Sequence, residues 1–229
     1  MIVPNYDPWL GFMSRLSRSV TTRWRRRWVP WEKRFDETEI LDATVALFWE
    51  RGYRGVSMAD LVDELGINRS SLYATYGNKE DLFRRALQRY DRVHRQDWFD
   101  ALADRFDPVE SIRQAFIQVA GAPDGERRLG CLLVNTTLEL PLPQSTFADV
   151  VQTAFDDTRR FFERQLDLAG RRTEPAPDAD SAALAAALMA LFLGTRVLAR
   201  AEASHESLRP ILRQLDAMLR PVGLALGEE

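Results

Sequence analysis

Between Gly66 and Lys79 the chain reads GINRSSLYATYGNK, and its only charged side chains are two cations, Arg69 and Lys79. Around them stand hydroxyls and an amide at Asn68, Ser70, Ser71, Tyr73, Thr75 and Tyr76. Short donors mixed with fixed positive charge suit phosphate oxygens and base edges. Arg69 has the fork geometry to pair with guanine, and Ser70 or Ser71 can reach either base type. Ser57, Tyr73, Thr75, Tyr76 and Lys79 are better placed for phosphate, some through backbone N–H groups at helix starts. Acidic residues near this stretch lie earlier in the chain, at Asp36, Glu37, Glu39, Asp42, Asp60, Asp63 and Glu64. Acid on one side and base on the other lets a chain of net charge −3 still meet phosphate.

These residues need short helices held at a sharp angle. Ser57 with Asp60 three positions later is a helix-start pattern, and Met58, Leu61, Val62 and Leu65 give that helix a buried face. Gly66 makes the turn, because the backbone there needs a left-handed conformation that side chains resist. Asn68 caps a second helix, with Leu72 and Tyr73 as its apolar side, and Gly77 ends it. Asn78 with Asp81 opens a longer helix through Leu82, Phe83, Ala86, Leu87 and Tyr90. Upstream, Ile40, Leu41, Val45, Leu47, Phe48 and Trp49 recur at helical spacing up to Gly52. Two short helices about a glycine turn are the pattern of a helix-turn-helix, whose second helix enters the DNA major groove. An ordinary three-helix packing unit would show the same caps and turn.

The rest of the chain reads as helix too, with no convincing strand pattern. Pro108 and the segment Ala120–Glu126 bracket one helix, and Cys131 to Leu140 forms another before the PLP run at 141–143. Thr146 to Gly170 is long and amphipathic, 171–180 is a polar loop, and two helices follow at Ser181 to about Ala203 and about Ser207 to Leu219. The predicted fold is all-α, about nine helices in total. A three-helix head precedes a larger helical body. One cysteine allows no internal disulfide and fits a reducing cytoplasm. Cys131, His94 and His205 are too few and scattered for a zinc site, and no cofactor motif is present. The longest apolar run, Ala182 to Leu193, is broken by Gly194, Thr195 and Arg196, which predicts a packing helix rather than a membrane span. No secretory leader is expected, and no membrane partner.

The head resembles the DNA-binding head of the tetracycline-repressor (TetR) family of bacterial regulators. ILDATVALFWERGYRGVSMADL, the LG-I turn and LYATYGNKEDLF carry the resemblance, over Arg34 to about His94. Val62 stands where the family prefers a small residue, Thr75 replaces its usual His, and Tyr76 replaces Phe. The resemblance implies 34–94 as a DNA-binding domain with its motif at 57–76, then 95–222 as a ligand-binding and dimerising body, then a tail at 223–229. It also implies a cytoplasmic homodimer that binds operator DNA and is not an enzyme. A small molecule in the body would move the helix starting at Asn78, alter the separation of the two heads and release the operator. Repression rather than activation is the family expectation.

In the body, GCLLVNTTLEL from Gly130 to Leu140 looks like one recurrent subset of such bodies. The family's last two helices usually pair with a second subunit. Leu184, Leu188, Leu191 and Leu198, with Leu208, Ile211, Leu212 and Leu215, are the expected dimer residues. Pocket-lining candidates are Trp98, Phe99, Phe116, Cys131, Asn135, Phe155, Phe162, Met189 and Phe192, whose apolar bias suggests a hydrophobic or aromatic effector. Large aromatics at helical spacing are more often plain core. Cys131, one turn after Arg127 and Arg128, admits a second reading as an electrophile or oxidant sensor; an inert buried cysteine is the alternative. A helical small-molecule-binding protein whose head no longer binds DNA is a further alternative.

The first 35 residues hold eight basic and two acidic residues, and Trp9, Met13, Leu16, Val20, Trp24, Trp28 and Trp31 fall at helical spacing. Residues 1–33 are read as a basic, Trp-rich arm on DNA, with Arg23, Arg25, Arg26 and Arg27 adding salt-dependent, sequence-blind affinity. A start at Met13 and an amphipathic helix on anionic membrane are the other readings.

Overall fold

A helix leaves its first N–H groups without partners, and at six helix starts in this chain a side chain accepts from one or two of them. The computed structural model describes residues 36–141, 145–171, 180–201 and 205–222. Among these residues every regular element is helical. The proposed arm, with Arg23, Arg25, Arg26 and Arg27, and the proposed tail lie outside the described residues. The chain divides between Trp98 and Phe99 into two compact units.

In the first unit α1 is Glu37–Arg51, α2 Met58–Leu65, α3 Arg69–Tyr76 and α4 Lys79–Tyr90. Asp36 accepts from the Thr38 N–H at 2.9 Å to start α1. Ser57 and Asp60 form a full capping box at α2, and Asn78 and Asp81 form another at α4. Asn68 Oδ1 accepts from the Ser71 N–H at 2.8 Å to start α3. The core beneath is Phe48, Leu61, Leu72, Leu82, Phe83 and Leu87, all at 1% exposure or less. Phe48 and Phe83 meet edge to face at 4.7 Å. Arg89 Nε and Nη2 donate to both oxygens of Asp42, at 2.8 and 3.2 Å, and so tie α4 to α1. That pairing raises the affinity of Arg89 for its proton, chiefly through the hydrogen bond to Asp42.

After α4 the hydrogen bonding widens into a π-helical segment, Asp91–Gln96. Three of its side chains, Asp91, His94 and Arg95, are buried. Asp91 accepts from Arg95 Nε, from Arg95 Nη2 at 2.9 Å and from Gln96 Nε2 at 2.7 Å. His94 packs on Tyr90 and Trp49 at 4.9 and 5.2 Å. α5 follows at Asp97–Arg105. The long helix foreseen from Asn78 is therefore interrupted rather than uniform.

The second unit holds α6 Pro108–Gly121, α7 Asp124–Leu129, α8 Leu132–Glu139, α9 Ala148–Gly170, α10 Ser181–Arg200, α11 His205–Leu219 and a 3₁₀ turn at Arg220–Val222. Asp107 caps α6, and Pro108 sits at its first position, where a missing N–H costs nothing. Asp180 caps α10 through the Ala182 and Ala183 N–H groups. α9 turns Val151, Ala154, Thr158, Phe161, Phe162, Gln165, Leu166 and Ala169 inward. Arg113 Nε donates to Asp216 at 2.9 Å, joining α6 to α11. The break foreseen at Ala120–Glu126 is shorter than expected, since α7 begins at Asp124. By length and composition alone α10 could cross a membrane, contrary to the sequence reading. In the fold it is a packing helix whose Leu188 and Phe192 are buried within its own unit.

Leu72 is fully buried and Tyr73, the next residue, is exposed. Leu72→Ala should destabilise the head by about 2–5 kcal/mol, whereas Tyr73→Ala should stay within about 0.5 kcal/mol. Urea unfolding followed by amide exchange in α1–α4 measures both.

Candidate nucleic-acid interface

α3 has only two turns, and its orientation is set at both ends. Gly66 has φ 63° and ψ 20°, a left-handed conformation that lets α2 stop and the chain turn at once. Gly77, at φ 77°, ends α3; a Cβ there would fall 2.4 Å from Asp81 Oδ2, inside the cap of α4. Leu72 and Tyr76 pin α3 from below. Asn68, Arg69, Ser70, Tyr73, Ala74 and Thr75 are left outward, with Ser71 half-buried. The Arg69 guanidinium lies 5.6 Å from the centre of the Tyr73 ring, so the exposed pair is in cation–π contact.

Several predicted contact residues already have local duties. The Asn68 amide oxygen accepts from the Ser71 N–H and from the Ser70 hydroxyl, both at 2.8 Å, so these groups build the cap. The Ser57 N–H and hydroxyl both donate to Asp60 Oδ2, at 2.7 and 2.6 Å. Its donors are spent on the cap rather than turned to phosphate. Tyr76 is corrected outright: it is buried at 3% exposure, beneath the Arg85 guanidinium at 5.5 Å from its ring centre, and belongs to the core. Burial pushes its phenol up, Glu37 adds to that, and Arg85 opposes it.

Lys79, half-buried at the start of α4, places its ammonium 4.2 Å from the centre of the Tyr53 ring. The sequence reading singled out neither Tyr53 nor Ala74. Ala74 is a small exposed apolar residue between Tyr73 and Thr75, the type that meets a thymine methyl. Tyr53 lies in the α1–α2 loop, and nothing local in its sequence pairs it with Lys79, 26 positions on.

In the second unit, Phe99, Phe116, Phe162 and Phe192 form one aromatic cluster with Phe161, a residue that helical spacing alone does not single out. Ring centres lie between 4.3 Å (Phe99–Phe161) and 6.1 Å (Phe116–Phe162). Met189 is buried, Phe155 half-buried, and Trp98 falls in the first unit. Asn135 Nδ2 and Arg200 Nη1 both donate to the Leu129 carbonyl, at 2.8 and 3.1 Å, bracing the turn at Gly130. Cys131 is buried just beyond that turn. Among the described residues no group of three or more His, Cys, Asp or Glu is placed to hold a metal.

The expected dimer residues also need correction. Leu188, Leu208 and Leu215 have exposures of 1% or less within a single chain, and Ile211 packs against the buried Ala120–Ala199–Leu208 cluster. Leu188, Leu208 and Leu215 cover the core of their own chain, and Ile211 is half-buried beside it. Leu184, Leu191 and Leu212 are half-buried, and Leu198 is exposed. The apolar face that α10 leaves open is made of Ala183, Ala187, Ala190, Gly194, Val197 and Leu198.

A family model described as bacterial regulatory proteins, tetR family, matches residues 40–86, the stretch that holds both short helices. A second, the tetracyclin repressor-like C-terminal domain, matches residues 109–215. The HTH-type transcriptional repressor ComR of Escherichia coli K12 is 30% identical over 181 residues, covering 78% of this chain and 86% of that protein. The chain belongs to the TetR family. The repressor DhaR of a Mycobacterium strain is 25% identical and covers 80% of this chain and 91% of that protein. Among solved structures, a cysteine mutant of the TetR-family regulator CifR, complexed with 26 bp double-strand operator DNA, is similar at a TM-score of 0.69. It shares 26% identity and covers 86% of this chain and 98% of that one. A TetR-family regulator from Cytophaga hutchinsonii shares the fold at a TM-score of 0.72, with 20% identity, over 85% of this chain and 100% of that one. Its relatives place the chain among transcriptional regulators, not enzymes.

The cap of α2 has a measurable electrostatic signature. The Ser57 hydroxyl and then the Ser57 N–H hold the Asp60 carboxyl below its ordinary value. A group depressed by folding stabilises fully above its unfolded value, and that contribution disappears as pH falls through the folded value. The α2 cap should therefore persist to below the usual carboxylate range. In Ser57→Ala, the Asp60 carboxyl resonance should titrate closer to about 3.9. An unchanged titration would contradict the cap geometry.

Proposed function

We propose that this TetR-family chain is a ligand-controlled repressor that reads operator DNA with the outward face of α3 and leaves it when a small molecule occupies the body. The observation that carries the reading is that face itself: Arg69, Tyr73, Ala74 and Thr75 exposed on a helix capped at one end and turned at the other. No carboxylate lies anywhere from Gly66 to Lys79. Arg69 is assigned to a guanine edge, Ala74 and Thr75 to neighbouring base edges, and Tyr73 and Lys79 to phosphate. Thr75 still offers a hydroxyl where the family usually has His.

The repressor is assigned as a cytoplasmic homodimer. Two heads are needed to read half-sites one helical turn apart. The exposed Ala183–Ala187–Ala190–Gly194 stripe, flanked by Val197 and Leu198, supports α10 as the meeting face. Small residues there let two helices come close. The body carries the effector reading: Phe99, Phe116, Phe161, Phe162 and Phe192 make an apolar, aromatic interior, which favours a hydrophobic or aromatic ligand. Such a ligand would act by binding the DNA-released state more tightly than the DNA-bound one. The braced turn at Gly130 supports placing the body in the Gly-Cys-Leu-Leu-Val-Asn subset.

A gel shift against the intergenic DNA upstream of its own gene tests the reader. Wild type should shift a fragment, and Arg69→Ala or Tyr73→Ala should each weaken binding by about 1–3 kcal/mol. Equal binding by all three would remove α3 from the interface. Sedimentation tests the dimer: wild type should run at twice the 26.3 kDa chain mass, and Ala187→Glu should run as a monomer. A wild-type monomer at micromolar concentration would overturn the α10 face.

A further inference from the structure

Lys79 is long, flexible and charged, and an unrestrained lysine loses much rotamer freedom when it settles on a phosphate. In the head its ammonium lies 4.2 Å from the centre of the Tyr53 ring. Tyr53 is itself fixed: its ring lies 6.2 Å from Phe48 at an interplanar angle of 20°, and 4.9 Å from Phe83. Phe48 and Phe83 are core residues at 0% and 1% exposure. The platform under the ammonium is thus anchored in the packed centre of the head. Glu80, the next residue in the chain, is near enough to push the Tyr53 phenol up, after the larger effect of burial. The ring orients the ammonium without taking its charge, and the Asp60 carboxylate of the α2 cap also feels that charge.

We propose that Tyr53 is a positioning residue for DNA binding, its ring holding the Lys79 ammonium ready for a backbone phosphate. The inference rests on the reading of Lys79 as a phosphate contact. It assigns a role, through Lys79, to a residue of the loop between α1 and α2. Tyr53 acts through Lys79, so its effect must vanish when Lys79 is gone.

The test is a double-mutant cycle on the full chain, with the upstream DNA fragment as probe and a salt series at each point. Lys79→Gln should flatten the slope of log affinity against log salt by about 0.9 per head. Tyr53→Phe keeps the ring and should bind as wild type. Tyr53→Leu should weaken binding roughly two- to fivefold per head, and should cost nothing further in the Lys79→Gln background. A Tyr53→Leu loss of the same size in both backgrounds would make Tyr53 a purely structural residue and overturn the inference alone. An unchanged salt slope in Lys79→Gln would overturn the phosphate reading of Lys79 and the inference with it. One measurement needs no variant: in the DNA-free wild type, ring current should move the Lys79 ε-methylene protons upfield. Protons at their random-coil position would overturn the proposal even if Tyr53→Leu fails to fold.

Discussion

An eight-residue helix does not hold its shape alone in water, and the DNA-reading part of this protein is built from two of them, α2 and α3. Their persistence depends on one constraint, that their end groups are satisfied locally while a single side of each is buried. Ser57 with Asp60, Asn68, and Asn78 with Asp81 close the helix starts. Gly66 and Gly77 set the exits. Leu61 and Leu72 then need cover on one side only, and both are fully buried in a head whose core also holds Phe48, Leu82 and Phe83. The outward face of α3 carries none of this burden, which leaves Arg69, Tyr73, Ala74 and Thr75 available to a partner.

The same economy explains why some polar residues of the motif do not contact DNA in this account. A serine or asparagine at a helix start has a limited set of donors and lone pairs. Ser57 and Asn68 commit theirs to the backbone and to Asp60 or Ser70. The cations follow a different rule. Arg69 and Lys79 are placed against tyrosine rings, which restrain them without cancelling their charge. Arg89 faces Asp42 instead and serves to tie α4 to α1. Arg69 and Lys79 each stand against a tyrosine ring, whereas Arg89 and Arg95, held by Asp42 and Asp91, belong to the scaffold.

The local chemistry was legible in the sequence, since caps and a left-handed turn depend on residues within three or four positions. Ser57–Asp60, Asn68, Gly66 and Asn78–Asp81 all stand where their spacing put them. What periodicity cannot say is what covers an apolar face. Leu188, Leu208 and Leu215 look the same in sequence whether their cover is their own chain or a second one, and here it is their own. Tyr76 looked like one more outward hydroxyl, yet it closes the core beside Arg85. α7 was hidden because Pro123 and Gly125 read as a break, although a proline can stand at a helix start. Tyr53 was invisible for a different reason: its partner is brought to it only by the packing of α1 against α4.

The central claim is that α3 lies in the major groove and reads base edges there. Guanine N7 is an acceptor found only in that groove. Methylation interference on the bound upstream fragment tests the claim most directly. The account predicts that N7 methylation blocks binding at two clusters of guanines about 10 base pairs apart, centre to centre. Binding that tolerates methylation at every guanine N7, and is blocked only by adenine N3 methylation in the minor groove, would contradict it.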